Sequence, residues 1–369
     1  MSVTINGSTG VSLVQDGVIV TADMASSVPL GAKNRIINGA MQIDQRNAGA
    51  AVTVTGRTYL IDRFASQNST STGTLTAQQS TLGNAKSLNL TATAAVTDLT
   101  GSLYVRGIQH ILESQNIFDL NGKDVTLSFQ VETNWSGNLS VAFLNSNSSR
   151  SYLTDVAVVS GINTATVTIS FEAATVLVNS NAAGMEIHIG FNNEDTLRTA
   201  TTGSWLAGVF VCSTSSTQWA KTTGNFINVT NVQLEEGSTA TAFEHRSYGQ
   251  ELALCQRYYY QIGGNSFLNP STSGYVIFAS GIVYTTSACD ISIPFKVTMR
   301  STPTMTQNNA GLQQGGTLIA ATSIGDAGST QNVAFARVGI ATASFTAGGG
   351  ATYSANNSTT GYFAASSEL

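Results

Sequence analysis

The chain has 369 residues, enough for two or more domains with separate cores. Its 16 Lys and Arg are scattered among 21 Asp and Glu, for a net charge of −5; no basic stripe is present to neutralise phosphates, so nucleic-acid binding is not expected. No apolar run approaches the ~20 residues of a membrane span, so membrane insertion is not expected either.

Charged residues make up only 10% of the chain, against ~25% in an ordinary soluble protein. Thr, Ser, Asn, Gln and Gly supply the polarity instead. Such a neutral polar surface suits hydrogen bonding to neutral glycans, although Thr and Ser also fit pleated sheets and Gly, Asn and Ser fit turns. The opening MSVTING lacks the charged and apolar regions of a signal peptide, which predicts folding where the chain is made, a cytoplasm. Cys212, Cys255 and Cys289 are odd in number, widely separated and without CxxC spacing, so buried free thiols are expected.

Residues 1–33 alternate Val3 and Ile5, Val11 and Leu13, Val18 and Val20 with polar residues, punctuated by Gly7, Gly10 and Gly17. A piece this small cannot bury enough surface to fold alone. It reads as an arm for oligomerisation or attachment to a larger assembly, the alternative being a disordered tail. Residues 34–246 are all-β. Val125, Leu127, Phe129 and Val131 alternate with polar residues, as do Val167, Ile169 and Phe171, then Met185, Ile187, Ile189 and Phe191. Ile227 and Val229 lie on one parity but Val232 and Leu234 on the other, which predicts a bulge near Thr230–Asn231. Alternating strands between Gly, Asn and Ser turns predict a sandwich of jelly-roll type, with room for a brief helical turn in residues 108–120.

Ser247 and Gln250 have the form of a capping box opening one short connector helix, residues 247–261. Leu252, Cys255, Tyr258 and Tyr259 fall on one arc of it, a candidate subunit seam. Residues 262–369 form a second β-unit, with strands expected over residues 275–282 and 291–299 and Pro294 at an edge or bulge. No repeat of fixed period favours a β-helix.

Several words of the sequence resemble bacteriophage tail-fibre proteins. LEEGSTATAFEHRSYGQELALCQRYYY, from Leu234 to Tyr260, is similar to the segment that closes their jelly-roll domain and leads into a C-terminal tip. NRIINGAMQIDQRN followed by YLIDRF resembles the usual opening of that domain, and GKDVTLSF a common internal strand. IPFKVTMRSTPTMT resembles a segment of fibre C-terminal domains. The resemblance implies an elongated all-β fibre protein and a homotrimer on the virion. Its N-terminal arm would attach to tail, baseplate or head proteins, and its tip would contact a host surface glycan or protein. The alternatives are a head-decorating or baseplate-linked fibre that meets no receptor, and a polysaccharide-degrading spike.

Catalysis finds no foothold. Glu194 and Asp195 are adjacent, as are Glu235 and Glu236, and neighbours on a strand point to opposite faces, so neither pair can flank a sugar. The second pair reads as structural, with Arg246 or Arg63 as partner. No nucleophile elbow, phosphate loop or dinucleotide fingerprint occurs. No two of the three histidines have metal-ligand spacing and no clustered acidic loop suggests calcium, so neither metal nor cofactor is expected. His188, beside Glu186, reads as an exposed sheet-face residue, His245 as a hydrogen-bonded corner residue and His110 as packed. Sugar binding needs aromatic platforms among amides and hydroxyls. In the distal unit the candidate receptor contacts are Phe267, Asn269, Tyr275, Tyr353, Asn356, Asn357 and Tyr362.

Overall fold

Strand alternation decides the architecture of the first unit. The computed structural model of the chain describes residues 33–171, 177–264, 276–356 and 358–369; most of the expected arm falls outside them. Two antiparallel sheets form a sandwich. The six-stranded sheet runs in the order Val52–Thr53, Thr74–Leu82, Ala85–Ala94, Phe226–Glu236, Asp124–Thr133, Gly161–Ser170. Facing it, the seven-stranded sheet runs Trp205–Ala207, Arg150–Val158, Gly137–Asn145, Ala183–Ile189, Ile108–Glu113, Phe64–Asn68, Gly56–Ile61.

Val125, Leu127, Phe129 and Val131 point into the sandwich and meet Met185, Ile187 and Ile189 from the opposite sheet, with Trp219 closing one end. Burial of this apolar face is the main term holding the layers together. The bulge lies where parity demands it. Pairing of Phe226–Glu236 with Asp124–Thr133 shifts register between Thr230 and Gln233, and Asn231 takes φ +52°. The extra residue turns Ile227, Val229, Val232 and Leu234 all inward. After Ile108–Glu113 come two brief 3-10 turns, Ser114–Asn116 and Phe118–Leu120.

The helix spans Tyr248–Gln256, and Ser247 and Gln250 form the expected reciprocal cap. It ends before the expected boundary at 261. Tyr259–Gly263 is already a strand, paired with Tyr362–Ser366, whose other edge pairs with Thr304–Asn308. Consecutive aromatics favour a pleated strand, and a waiting partner strand completes the hydrogen bonds.

The remaining strands close into a six-stranded barrel: Ile277–Thr285, Ala288–Pro294, Val333–Ile340, Thr317–Asp326, Ala310–Gln314, Gly350–Ala355. Closure leaves this sheet without a free edge for unwanted pairing. Val283, Ile291, Leu312, Ala336 and Val338 fill the interior. Pro294 ends its strand, and Gly281 is required at its position because an added Cβ would sit 2.0 Å from the Asp290 carbonyl oxygen. Fold class is thus all-β, a sandwich and a barrel joined by one short helix.

Candidate functional site

The sequence words that resemble fibre proteins converge at the junction between sandwich and barrel. Arg63 sits in the turn between Gly56–Ile61 and Phe64–Asn68, with φ +70°. Its side chain is 1% exposed and ion-pairs with Glu368. It also donates to the Ile111 carbonyl, and its guanidinium lies 3.6 Å from the centre of the Tyr258 ring. Arg46 holds the other oxygen of Glu368 at 2.6 Å and stacks 3.5 Å over Tyr259. Two buried cations therefore share one carboxylate and two aromatic faces, which compensates their lost hydration.

A second set of bonds locks the helix in place. Arg257 makes a bidentate pair with Glu113 at 2.7 and 3.0 Å, and the Tyr258 hydroxyl donates to the same carboxylate at 2.5 Å. Gln45 donates to the Tyr259 carbonyl at 2.8 Å, and Asn38 donates its backbone N–H to Glu251. Arg300 bridges the units by donating to the carbonyls of Ser367, Asn181 and Glu368 at 2.6, 2.9 and 3.1 Å.

This geometry corrects the subunit-seam reading. Cys255 and Tyr258 are 0% exposed and Tyr259 is 7% exposed. Cys255 and Tyr258 pack with Ile37 and Ile43 of the same chain, and half-buried Leu252 joins them beside Leu369. An apolar arc on a helix specifies that something covers it, and here the sandwich does. Burial pushes the Cys255 thiol and the Tyr258 phenol well above their ordinary values, so neither is poised for chemistry.

Among the candidate receptor contacts, Phe267, Asn269, Tyr275 and Asn357 lie outside the described residues. Tyr353 is corrected to a core residue. It is 0% exposed, meets the Phe278 and Phe363 rings edge-on at 5.1 and 6.4 Å, and donates to Gln307 at 2.5 Å. Its strand parity places it with Ala351 and Ala355 inside the barrel. Asn356 and Tyr362 are half-buried; Asn356 borders Asn309, which lines a polar depression of about 370 Å³.

The barrel exposes a different aromatic surface. Tyr284 is 58% exposed and Ile282 63%, both on the outer side of Ile277–Thr285. The Arg337 guanidinium lies 3.7 Å from the Tyr284 ring centre and forms a bidentate pair with Asp290 at 2.7 and 2.9 Å. Phe335, two residues from Arg337 on the same strand, is 39% exposed. On the other side of Ile282, a shallow depression of about 430 Å³ is lined by Ser280, Gly281, Gln314, Gly350 and Thr352. The result is a fixed aromatic–guanidinium platform beside a floor of hydroxyls, an amide and bare backbone.

The other candidates for chemistry resolve as packing. Glu235 accepts from Thr241 at 2.8 Å (N–H) and 2.6 Å (hydroxyl) and from Gln233 at 2.8 Å, while Glu236 pairs with Lys123 at 2.9 Å. Neither pairs with Arg246 or Arg63, because Glu244 and Glu251 approach Arg246 and Glu368 claims Arg63. His110 is packed as expected, edge-on to Phe64 and bonded to the Ile37 carbonyl. His245 makes a ring contact with Phe243. His188 is corrected: it is 1% exposed, covered by Phe191 and bonded to Glu186. The three cysteines are free and buried. Among the described residues no group of three His, Cys, Asp or Glu is placed to hold a metal ion, and no helix is long and apolar enough to cross a membrane.

No family model matches the chain, and no curated protein matches it. Several solved structures are similar. The enzymatically active domain of tailspike protein 4 from bacteriophage CBA120 is 13% identical over 55% of this chain and 21% of its own length, with a TM-score of 0.25. A family 4 carbohydrate-binding module is 13% identical over 54% of this chain and 98% of its own, TM-score 0.26. The family 11 carbohydrate-binding module of a Clostridium thermocellum cellulosomal cellulase is 12% identical over 53% and 99%, TM-score 0.27. At these TM-scores the likenesses decide nothing about function.

Proposed function

We propose that the chain is a structural adhesion protein of fibre type, similar to bacteriophage tail fibres. It attaches to the particle through its N-terminal arm and contacts a host surface glycan through the barrel. The observation that carries this reading is the platform of Tyr284, Arg337 and Asp290 beside Ile282 and the hydroxyl-lined depression. A sugar presents an apolar C–H face to an aromatic ring and hydroxyls to planar donors and acceptors, and this surface offers both already ordered. The junction supports the same reading. A rigid clamp between sandwich and barrel transmits orientation from an attached end to a free one.

In this reading the barrel binds without cleaving, and its carboxylates are engaged in its own hydrogen bonds. Asp290 is tied to Arg337, and Asp326 accepts from Gly328 and Ser329 at 3.2 and 2.7 Å. These bonds hold both carboxyls below the usual carboxylate range, which disfavours either as a general acid. Replacing Tyr284 and Arg337 together with alanine is expected to weaken adsorption to host cells about tenfold or more, since each loses a desolvated contact. The thermal midpoint should stay unchanged, as both side chains are exposed. Normal adsorption of the double variant would leave a structural fibre without receptor contact.

Three copies acting together convert modest affinity at each tip into firm attachment through effective concentration. Light scattering of the purified chain is expected to give three times 38.4 kDa. A monomeric mass rejects the self-assembled trimer.

A further inference from the structure

The outer face of the seven-stranded sheet holds a polar cluster that the fold does not require. Its pairing sets Tyr59, Ala65, Gln109, His188 and Ala142 in one cross-strand row, with Ile111, Glu186 and Leu144 in the next. Three donors converge on one oxygen of Glu186. Gln109 Nε2 donates to Oε2 at 2.7 Å, His188 Nε2 at 3.2 Å and Arg106 Nη1 at 3.4 Å. The other oxygen, Oε1, receives no hydrogen bond from any described residue, and the side chain is 18% exposed. Arg106 is 26% exposed beside it, and the Tyr104 hydroxyl lies 3.5 Å from Arg106 Nη2.

The arrangement has a cost. Gln109 and His188 are each 1% exposed, yet Gln109 Oε1 and His188 Nδ1 are buried without partners, as is Arg106 Nε. Each such group gives up its hydration without gaining a partner, and apolar residues at these positions would avoid that. Side chains held this way serve to fix the carboxylate, with one oxygen anchored from beneath and one turned outward.

We propose that this face is a second saccharide site, independent of the barrel, in which Glu186 accepts from and Arg106 donates to the adjacent hydroxyls of a neutral sugar. The ion pair supplies an acceptor and a donor side by side, the pattern a vicinal diol matches. Tyr104 borders the site with a further hydroxyl. A carboxylated sugar is disfavoured because its charge would face that of Glu186.

Ligand-observed NMR on the full chain tests this with neutral hexasaccharides of glucose, mannose and galactose, and hexagalacturonate as the acidic control. At least one neutral hexasaccharide should show saturation transfer. Glu186→Gln should weaken its binding about tenfold, since a hydrogen bond to a charged acceptor becomes a neutral one. Tyr104→Phe, which removes one hydroxyl and leaves the ring packing, should weaken it a few-fold and answers the question if Glu186→Gln does not fold. All of these comparisons are made in a Tyr284→Ala and Arg337→Ala background, so that sugar held at the barrel does not contribute to the signal. The proposal is overturned by silence from every neutral hexasaccharide, by preference for hexagalacturonate, or by binding that survives Glu186→Gln and Tyr104→Phe. Binding seen in the parent and lost altogether in that background overturns it too, and assigns the sugar to the barrel.

Discussion

Glu368→Ala is expected to destabilise the chain by about 3–5 kcal/mol, because it leaves the Arg63 guanidinium without a counter-charge in a buried setting and Arg46 with Asp62 alone, at 3.6 Å. Glu368 is 6% exposed, Arg63 1% and Arg46 14%. Neither arginine can shed its proton to relieve the cost. The natural control is Glu236→Ala. That pair with Lys123 is 50% and 42% exposed, and its loss should cost less than about 1 kcal/mol. Guanidinium chloride titration read by tryptophan emission makes the comparison clean, since Trp135, Trp205 and Trp219 all lie in the sandwich part of the chain. Emission thus reports the sandwich, although Glu368 follows the last barrel strand by 13 residues and reaches back to it. Glu368→Ala unfolding within 1 kcal/mol of the parent would show that this carboxylate contributes little, and that packing of Ile37, Ile43, Cys255 and Tyr258 with the Arg257–Glu113 and Arg300 bonds joins the units.

The clamp also shows which kinds of information a single sequence carries. Arg63, Tyr258 and Tyr259 were legible as residues that need a partner, but Arg63 was matched to Glu235 and Glu236 and the tyrosines to a second subunit, and Arg46 was not singled out. Glu368 was not, because an ion pair across 305 residues leaves no local pattern. Alternation in residues 125–131 and the parity break at Thr230–Asn231 predicted the sandwich and its bulge, since both follow from the two-residue strand period. The barrel surface was missed for the same physical reason read in reverse. Ile282 is apolar yet points outward, and a register shift between Ile277 and Ala279 resets the parity of its strand. Residue type alone nominated Tyr353 as a contact and passed over Tyr284, though both are tyrosines on strands. His188 read as exposed because its own strand face is polar; Phe191, which covers it and packs with Val211 and Cys212, lies beyond the end of that strand.

A pH titration of stability should separate two opposing groups of buried residues. Burial pushes the Asp62 carboxyl up to about 7, against the pull of Arg46 and the Gln45 hydrogen bond. In the unfolded chain the same group titrates near the ordinary 3.8 of an aspartate. The folded state therefore holds a proton that the unfolded state releases, and stability falls as pH rises from about 4 to about 7. The full effect of a shift this size is on the order of 4 kcal/mol. His110 and His188 act with the opposite sign. Burial, with Arg63 beside His110, holds both below their ordinary value, so the unfolded chain takes up protons there first and stability falls as pH drops below about 6.5. Asp62→Asn isolates the carboxylate, because the amide mimics the protonated form at every pH. The variant should match the parent near pH 4 and exceed it in stability above pH 7, while the acid-side loss from the histidines remains. Denaturation midpoints that stay parallel for parent and variant from pH 4 to pH 8 would mean that Asp62 is ionised throughout, paired with Arg46 at 3.6 Å as a true buried salt bridge.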